Sequence, residues 1–211
     1  MYIPKTYTDN FLSLHGATID YCEVIDGKFS YIPIPKNMSK VMKMSFDQYR
    51  RKPDRIKKVD YCSRFTVILR DPLDRWASGV VEFFKLYGYV HLLKEQKFVD
   101  DIVTKTLCFD GHTLPQTCFM QEVHTDKCDF FYITPDVNQY LNKFHKEHYD
   151  IDLDVDDVNN PEYMDIQTYL KQTILSEQNL ICSFRDFYSS DYILLNDVQP
   201  RFVNPAEVHF I

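Results

Sequence analysis

The stretch of sequence that decides the fold is residues 65–78, which read Phe65-Thr66-Val67-Ile68-Leu69-Arg70-Asp71-Pro72-Leu73-Asp74-Arg75-Trp76-Ala77-Ser78. Its first five residues form an apolar run typical of a strand that is buried on both faces in a parallel sheet. Asp71 is a favourable N-cap and Pro72 a favourable first helical residue, so we predict a helix over residues 71–88. Strand–helix alternation through the first half of the chain predicts a mainly parallel sheet with helices on both faces. Ligands of such sheets bind beyond the C-terminal strand ends, where we expect Arg70.

The predicted helix over residues 71–88 has one apolar stripe at helical spacing, which consists of Leu73, Trp76, Ala77, Val80, Phe84 and Tyr87. This pattern places Arg75 and Ser78 off the core stripe. A simple alternative role for Arg70 and Arg75 is ion pairing with the acidic residues of the first helical turn, Asp71 and Asp74. Such pairs are common at helix starts and contribute little stability.

A second strand-to-helix junction precedes this one in the chain. Residues 29–34 form a short β-prone run that ends at Pro35, and a helical pattern follows over residues 37–51. A helix N-terminus offers free N–H groups and a positive dipole end, and Lys36 adds a full charge beside them. These features favour a phosphate-binding corner. An ordinary turn with a solvated Lys36 is the simpler alternative, because the glycines of a GxxxxGK[ST] loop are absent.

The two junctions together resemble the signature of sulfotransferases that use 3′-phosphoadenosine-5′-phosphosulfate (PAPS), especially the carbohydrate and heparan-type branch. In that family a lysine of the first loop contacts the 5′-phosphosulfate, a role that the resemblance gives to Lys36. The arginine and serine of the R-D-P-x-x-R-x-x-S motif grip the 3′-phosphate, which implies these roles for Arg70 and Ser78. Lys40 departs from the pattern, since many members have a second hydroxyl residue there. The resemblance implies that PAPS, and the product 3′-phosphoadenosine-5′-phosphate (PAP), bind to Lys36, Asn37, Met38, Ser39, Lys40, Arg70 and Ser78.

Two later fragments extend the resemblance. One looks like the H-x-x-P-Q element of the same branch and reads His112-Thr113-Leu114-Pro115-Gln116. The other is similar to the family's Y-x-x-D-Y-x-L ending and reads Phe184-Arg185-Asp186-Phe187-Tyr188-Ser189-Ser190-Asp191-Tyr192-Ile193-Leu194-Leu195. The resemblance implies one domain over residues 1–211 with a three-layer α/β/α, P-loop-like sulfotransferase fold. It also looks similar to small stand-alone members from microbes or bacteriophages.

Sulfuryl transfer requires an acceptor atom placed in line, a general base, and stabilisation of the charge that grows on the leaving phosphate. Lys36 suits the stabilising role, and a neutral histidine suits the base near pH 7. His112 is the first candidate for the base, although it could instead orient its loop or contact the acceptor. The other candidates are His124, Glu82 and Asp47.

The expected function is therefore transfer of a sulfuryl group from PAPS to a hydroxyl. The expected acceptor is a small molecule or glycan, with carbohydrate as the favoured class. A nucleotide-dependent kinase is one alternative, because phosphate corners on such sheets serve several reaction types, but the glycine-rich loop is absent. A non-catalytic module that binds PAP or another nucleotide is a second alternative. The oligomeric state stays open.

The charge of the chain is unevenly distributed. The formal net charge of −7 indicates no general affinity for nucleic acid. Residues 36–75 contain twelve Lys/Arg and five Asp/Glu, which gives +7, whereas the remainder contains twelve and twenty-six, which gives −14. A basic region around the two junctions would attract a multiply anionic cofactor. The alternative for the basic run at residues 50–58 is a solvated loop.

Other sequence features set expectations about location and metals. The N-terminus lacks a charged segment followed by an apolar run, and no eighteen consecutive residues are apolar, so we expect a soluble, cytoplasmic protein without a membrane partner. The six cysteines form no CxxC pair and are expected to be thiols. We expect no metal site, because the Cys and His spacings match no common zinc module and the acidic run 150–157 lacks the glycine and closing glutamate of an EF-hand.

The remaining segments complete the predicted single domain. With 211 residues, of which 45% are hydrophobic, the chain can bury one sizeable core. Residues 1–28 are predicted to form an edge hairpin or flap with a turn at Asp26-Gly27. A helical pattern spans residues 90–107. A strand at 129–133 precedes a helix that ends near residue 148, and further helices are predicted from 161 to 195.

Overall fold

The fold is built around one five-stranded sheet. A computed structural model describes residues 21–58, 64–153, 155 and 163–208 of the chain. The strands are β1 Tyr21–Ile25, β2 Phe29–Tyr31, β3 Arg50–Lys57, β4 Phe65–Leu69 and β5 Cys128–Tyr132. Their order across the sheet is β3-β1-β2-β4-β5. The strand predicted at residues 65–69 is confirmed as β4.

The part of the sheet that carries the two predicted corners is parallel. β2 pairs with β4 and β4 pairs with β5 in parallel, with Ser30 opposite Phe65 and Leu69 opposite Tyr132. β1 is antiparallel to both β2 and β3 and extends the sheet on one side. The C-terminal ends of β2, β4 and β5 therefore lie together, and we call this the C-terminal edge. The opposite ends form the N-terminal edge.

Seven α-helices surround the sheet within the described residues. They are α1 Ser39–Phe46, α2 Pro72–Leu86, α3 Gln96–Lys105, α4 Val137–Tyr149, α5 Met164–Ser176, α6 Gln178–Phe187 and α7 Ser189–Val198. The predicted start of α2 is confirmed, because Asp71 is its N-cap and the side chain of Asp71 accepts a hydrogen bond of 2.9 Å from the backbone N–H of Asp74. A short 3-10 helix, Val90–Lys94, precedes α3 within the predicted helical pattern 90–107.

The sequence interpretation of residues 37–58 was wrong in its second half. α1 ends at Phe46, and the basic run predicted as helix and then as a solvated loop forms β3 instead. The reason is non-local, since β3 pairs with β1 through contacts such as Ile25 with Arg50. β1 consequently lies inside the sheet rather than in an edge hairpin or flap. Asp26 and Gly27 do form the predicted turn, both with positive φ, while residues 1–20 lie outside the described residues.

Helices cover both faces of the sheet. On one face, α1 and α4 pack against a core that includes Ile68 and Phe131. On the other face, α7 and the segment Gln116–Met120 pack against Val67 and Phe130. A third core, formed by α2, α3, α5 and α6, lies beside the sheet. This α/β arrangement is compatible with the predicted three-layer class.

Two further features bear on the expectations from sequence. Among the described residues, no helix combines the length and apolar character that a membrane span requires. The first carboxylates of the acidic run, Asp150 and Asp152, both bind Lys146 at 2.9 Å. Residues 154 and 156–160, which lie within that run and just after it, are outside the described residues.

Candidate functional site

The first corner of the C-terminal edge is the loop between β2 and α1. Lys36 and Met38 both adopt left-handed backbone conformations, with φ of 66° and 60°. Non-glycine residues seldom adopt this conformation, and alternating signs of φ can turn N–H groups toward an anion. The N–H of Asn37, between these two residues, donates to the backbone oxygen of Ile34 at 3.1 Å. Ser39 begins α1, whose first-turn N–H groups have no partner within the helix, and Lys40 beside it is exposed. The loop thus presents N–H groups and a lysine at one place.

The second corner is the junction between β4 and α2. Arg70 is partly buried, and its Nη1 donates a hydrogen bond of 3.3 Å to the backbone oxygen of Lys36. Burial lowers the pKa of Arg70, but a guanidinium stays charged in a protein. The nearby carboxylates are used elsewhere, because Asp71 caps α2 and Asp74 binds Lys171 Nζ at 2.6 Å. Arg70 forms no ion pair within the described part of the chain, so the ion-pair alternative is wrong for it.

Gln116 joins the two corners. Its Oε1 accepts hydrogen bonds from Asn37 Nδ2 at 2.8 Å and from the backbone N–H of Arg70 at 3.2 Å. Its Nε2 donates to the backbone oxygen of Arg70 at 2.8 Å. Asn37 also donates to the backbone oxygen of Ile68 at 2.9 Å. Because Gln116 and Asn37 are fully buried, this network fixes the Lys36 loop against the end of β4.

Arg75 is fully buried, contrary to its predicted place off the core stripe. Its Nε donates to the backbone oxygen of Pro35 at 3.1 Å, and its Nη1 donates to the backbone oxygen of Leu114. Among the described residues, Nη2 has no hydrogen-bond partner and no carboxylate pairs with Arg75. Burial lowers the pKa of this guanidinium. Arg75 therefore connects the residue before Lys36 to the His112–Gln116 fragment, a role that replaces the predicted ion pair.

Ser78 is also buried, and the reason is a close contact at the next residue. A Cβ atom placed on Gly79 would lie 2.8 Å from the carbonyl carbon of His112 and 3.0 Å from Cγ2 of Thr113. Only glycine permits this approach of the two backbones. The His112 loop thus covers a second face of α2, which the apolar periodicity of the helix did not reveal.

The C-terminal fragment supports the same loop from behind. Asp191 accepts hydrogen bonds of 2.9 Å from the backbone N–H groups of Gln116 and Thr117. The hydroxyl of Tyr188 donates to the backbone oxygen of Thr113. Both side chains are fully buried, and burial raises the pKa of the Asp191 carboxyl and of the Tyr188 phenol. All four sequence fragments of the resemblance consequently meet at one place.

The chemical groups at the mouth of the site come from three elements. Lys36 Nζ lies 3.2 Å from Oε2 of Glu82 on α2, and both side chains are partly exposed. Ser78 lies four residues before Glu82 and so on the same face of the helix. His112 lies beside Gly79, and its Nδ1 is 2.8 Å from Oδ2 of Asp110. Lys36, Ser78 and Glu82 are therefore neighbours, and the backbone of His112 lies against the same helix.

The other two candidate bases lie away from this cluster. His124 lies four residues before the start of β5 and so lies toward the N-terminal edge. Its side chain is largely exposed. Asp47 follows the last residue of α1. The backbone oxygen of Tyr49, two residues after Asp47, accepts a hydrogen bond of 3.2 Å from the backbone N–H of Asp26. Asp26 lies in the turn just before β2, which is at the N-terminal edge. Asp47 is thus at the N-terminal edge too, which leaves His112 and Glu82 as candidate bases.

The sequence interpretation missed the connecting residues Gln116, Arg75 and Asp191. Each lies in one of the fragments that carry the resemblance, but its contacts are long-range and leave no local sequence pattern. In the part of the chain that the structure describes, no three His, Cys, Asp or Glu side chains are grouped so that they could hold a metal ion.

Comparison of the chain with protein-family models, curated proteins and solved structures found no match.

Proposed function

We propose that this chain is a PAPS-dependent sulfotransferase with a P-loop-like sulfotransferase fold, which transfers a sulfuryl group to a hydroxyl of a carbohydrate acceptor. The observation that carries the proposal is Arg70, a partly buried cation that forms no ion pair with a described carboxylate. It lies in the hydrogen-bond network that also fixes the Lys36 loop. A buried charge without a partner costs free energy, and a bound phosphate would offset that cost.

The residues of the two corners fit the two ends of PAPS. Lys36, the turned backbone N–H groups after it and the N-terminus of α1 suit the 5′-phosphosulfate. Arg70 and the hydroxyl of Ser78 suit the 3′-phosphate, because a guanidinium binds phosphate through charge-assisted hydrogen bonds. Two cations, Lys36 and Arg70, lie at neighbouring strand ends, and Glu82 is their one acidic partner among the described residues. A bound PAPS would balance their charge.

Each residue of the mouth has a defined part in the proposed reaction. PAPS supplies an activated sulfuryl group whose leaving group is a phosphate. Lys36 moves from Glu82 to the bridging oxygen and stabilises the negative charge that grows there. His112 takes the proton of the acceptor hydroxyl, and Glu82 is the alternative base.

The test compares the binding of PAP with that of AMP by calorimetry. We expect wild-type protein to bind PAP more tightly, because Arg70 and Ser78 contact the additional phosphate. Arg70→Ala should lose roughly ten- to a hundredfold in PAP affinity, the effect of a charge-assisted hydrogen bond of about 1.5–3 kcal/mol, while its affinity for AMP stays the same. Equal affinities of the wild type for PAP and AMP would remove the basis of the proposal.

Turnover assays separate the proposal from its two alternatives. Purified protein is incubated with PAPS or with ATP and a panel of oligosaccharides, and the products are analysed by mass spectrometry. Sulfated products support the proposed function. Phosphorylated products identify a kinase, and tight PAP binding without any product identifies a non-catalytic module.

A further inference from the structure

The carboxylate of Asp110 binds His112 at two points. Oδ1 accepts a hydrogen bond of 2.8 Å from the backbone N–H of His112, and Oδ2 lies 2.8 Å from Nδ1 of its ring. The Asp110 carboxylate is largely buried, whereas the imidazole is about a third exposed. The ring is therefore held on its inner side and open on its outer side.

This contact determines which ring nitrogen carries the proton. An ionised carboxylate only accepts hydrogen bonds, so Nδ1 of the neutral imidazole must be the donor to Asp110. Nε2 then has a free lone pair. Within the described residues, no hydrogen bond occupies Nε2 of His112, so this nitrogen is available to a substrate proton.

The dyad is fixed to the rest of the site from two sides. Asp110 is tied to Thr113, whose Oγ1 accepts a hydrogen bond of 3.1 Å from the backbone N–H of Asp110. The backbone of His112 contacts α2 at Gly79, one residue after Ser78. A carboxylate that orients a histidine in this way is the arrangement that prepares the base of a serine hydrolase.

We propose that Asp110 is a positioning residue that holds His112 in the tautomer with the proton on Nδ1, so that Nε2 is the general base. The inference rests on the proposed sulfotransferase function. It assigns Asp110 a part in the reaction and favours His112 over Glu82, whose carboxylate is bound to Lys36.

In the reaction, Nε2 of His112 takes the proton of the acceptor hydroxyl as the hydroxyl oxygen forms its bond to sulfur. The bond between sulfur and the bridging phosphate oxygen breaks, and that oxygen keeps the electron pair beside Lys36. Asp110 stabilises the resulting imidazolium and stays ionised. The proton leaves His112 for solvent after the product departs.

The most informative variant is Asp110→Asn. The amide oxygen can still accept from the backbone N–H of His112, so the loop is kept. The amide NH2 group then lies at Nδ1 and can only donate, which forces the proton onto Nε2. This tautomer cannot act as the base, and the same change in a serine protease lowers kcat by roughly 10⁴-fold. We expect a loss of transfer on that order, with PAP affinity unchanged.

The tautomer is measured directly by long-range 1H–15N correlation spectra of the neutral imidazole, with His112→Gln used to assign the signal. Wild-type protein should show the proton on Nδ1, and Asp110→Asn should show it on Nε2. The matched control is Asp126→Asn, which removes an exposed carboxylate two residues from His124, 4.0 Å from its Nδ1. This control should change neither the His112 signal nor the transfer rate.

The outcomes distinguish this inference from the proposed function. A wild-type proton on Nε2, or a transfer rate unaffected by Asp110→Asn and Asp110→Ala, would overturn the dyad and leave the sulfotransferase proposal in place. The expected tautomer in a protein that transfers no sulfate to any acceptor would overturn the function and, with it, the assigned base. The expected tautomers together with the loss of transfer support both.

Discussion

Two regions of the molecule bury basic side chains, but one keeps these side chains charged and the other keeps its side chain neutral. At the C-terminal edge, Arg75 is fully buried and donates to two backbone oxygens, and Arg70 donates to a third. On the face covered by α4, His145 is also fully buried, but it lies among the aromatic rings of Phe29 and Phe131. The arginines keep their charge because they cannot lose a proton, whereas the histidine can become neutral.

The histidine region shows how a buried basic group avoids charge. Nδ1 of His145 lies 2.8 Å from the backbone oxygen of Leu141 and donates to it, and Nε2 accepts from Thr66 Oγ1 at 3.0 Å. Both nitrogens are satisfied in the neutral ring, and burial lowers the pKa of His145 to about 4. At the C-terminal edge the buried basic groups are arginines, which cannot become neutral in this way. Under the proposed function, a bound anion would offset the cost of keeping these arginines charged there.

Among changes to these two regions, Lys36→Ala at the C-terminal edge has the largest expected effect. If Lys36 meets charge on the leaving phosphate, its loss should affect the transition state more than ground-state binding. We expect the transfer rate to fall by about 10²–10³-fold, as when one preorganised donor is removed from an active site. The protein should stay folded and bind PAP, since the Lys36–Glu82 pair is partly exposed and contributes little stability.

The measurement is single-turnover sulfate transfer to an acceptor on which the wild type is active. Lys105→Ala is the matched control, because Lys105 is exposed on α3 and pairs with Asp101 at 3.9 Å. It should transfer at the wild-type rate. If Lys36→Ala also transfers at that rate, Lys36 is a surface lysine and the proposed mechanism is wrong.

The next effect concerns the neutral region and its dependence on pH. The pKa of His145 is about 4 in the folded protein, against 6.5 in the unfolded chain. The unfolded state therefore binds more protons between these values, so the stabilising contribution is complete above pH 6.5 and is lost as the pH falls through 4. The difference corresponds to about 3 kcal/mol of unfolding free energy.

Urea denaturation at pH 7 and at pH 4 measures this contribution. His145→Phe keeps an aromatic ring in the cluster and removes the titration. Between pH 7 and pH 4, the unfolding free energy of the variant should therefore fall by about 3 kcal/mol less than that of the wild type. Thr66 loses a partner in this variant, which lowers stability at both pH values alike. Equal pH dependence in the two proteins would show that folding does not shift the pKa of His145.

What the sequence predicted depended on how local the signal was. The strand at residues 65–69 and the start of α2 at Asp71 and Pro72 followed from neighbouring residues, and both are confirmed. The strand β3 was missed because its partner β1 lies about thirty residues earlier. The burial of Arg75 was missed for the same reason, since the loop that covers it begins near His112.

The candidate site shows the same division. The corner residues Lys36 and Arg70 were identified from their places at strand ends, and the structure brings them within hydrogen-bond reach through the backbone of Lys36. The role of Gln116 in joining the corners required three-dimensional contacts, because Asn37 and Arg70 are far from it in sequence. Periodicity reports the face that a helix buries against apolar neighbours, and polar contacts of this kind leave no such pattern.

The smallest expected effect is that of Arg64→Ala, which adds a third arginine to the comparison. Arg64 lies at the N-terminal edge, is about half exposed, and makes a two-pronged pair with Asp129, with Nε at 3.0 Å from Oδ2. Its charge is already neutralised and hydrated, so Arg64→Ala should cost about 1 kcal/mol or less in unfolding free energy, and added salt should shrink the difference. Asp129 keeps the hydroxyl of Tyr149 as a second partner at 3.3 Å.

The informative result is the contrast between Arg64→Ala and Arg70→Ala in the same PAP titration. Both changes remove one positive charge, so a non-specific attraction of PAP to basic surface would weaken binding equally in the two variants. A built 3′-phosphate site predicts instead that only Arg70→Ala loses affinity, because of these two arginines Arg64 has an acidic partner and Arg70 has none among the described residues. Equal losses would mean that the position of Arg70 at the end of β4 has no special value for the ligand.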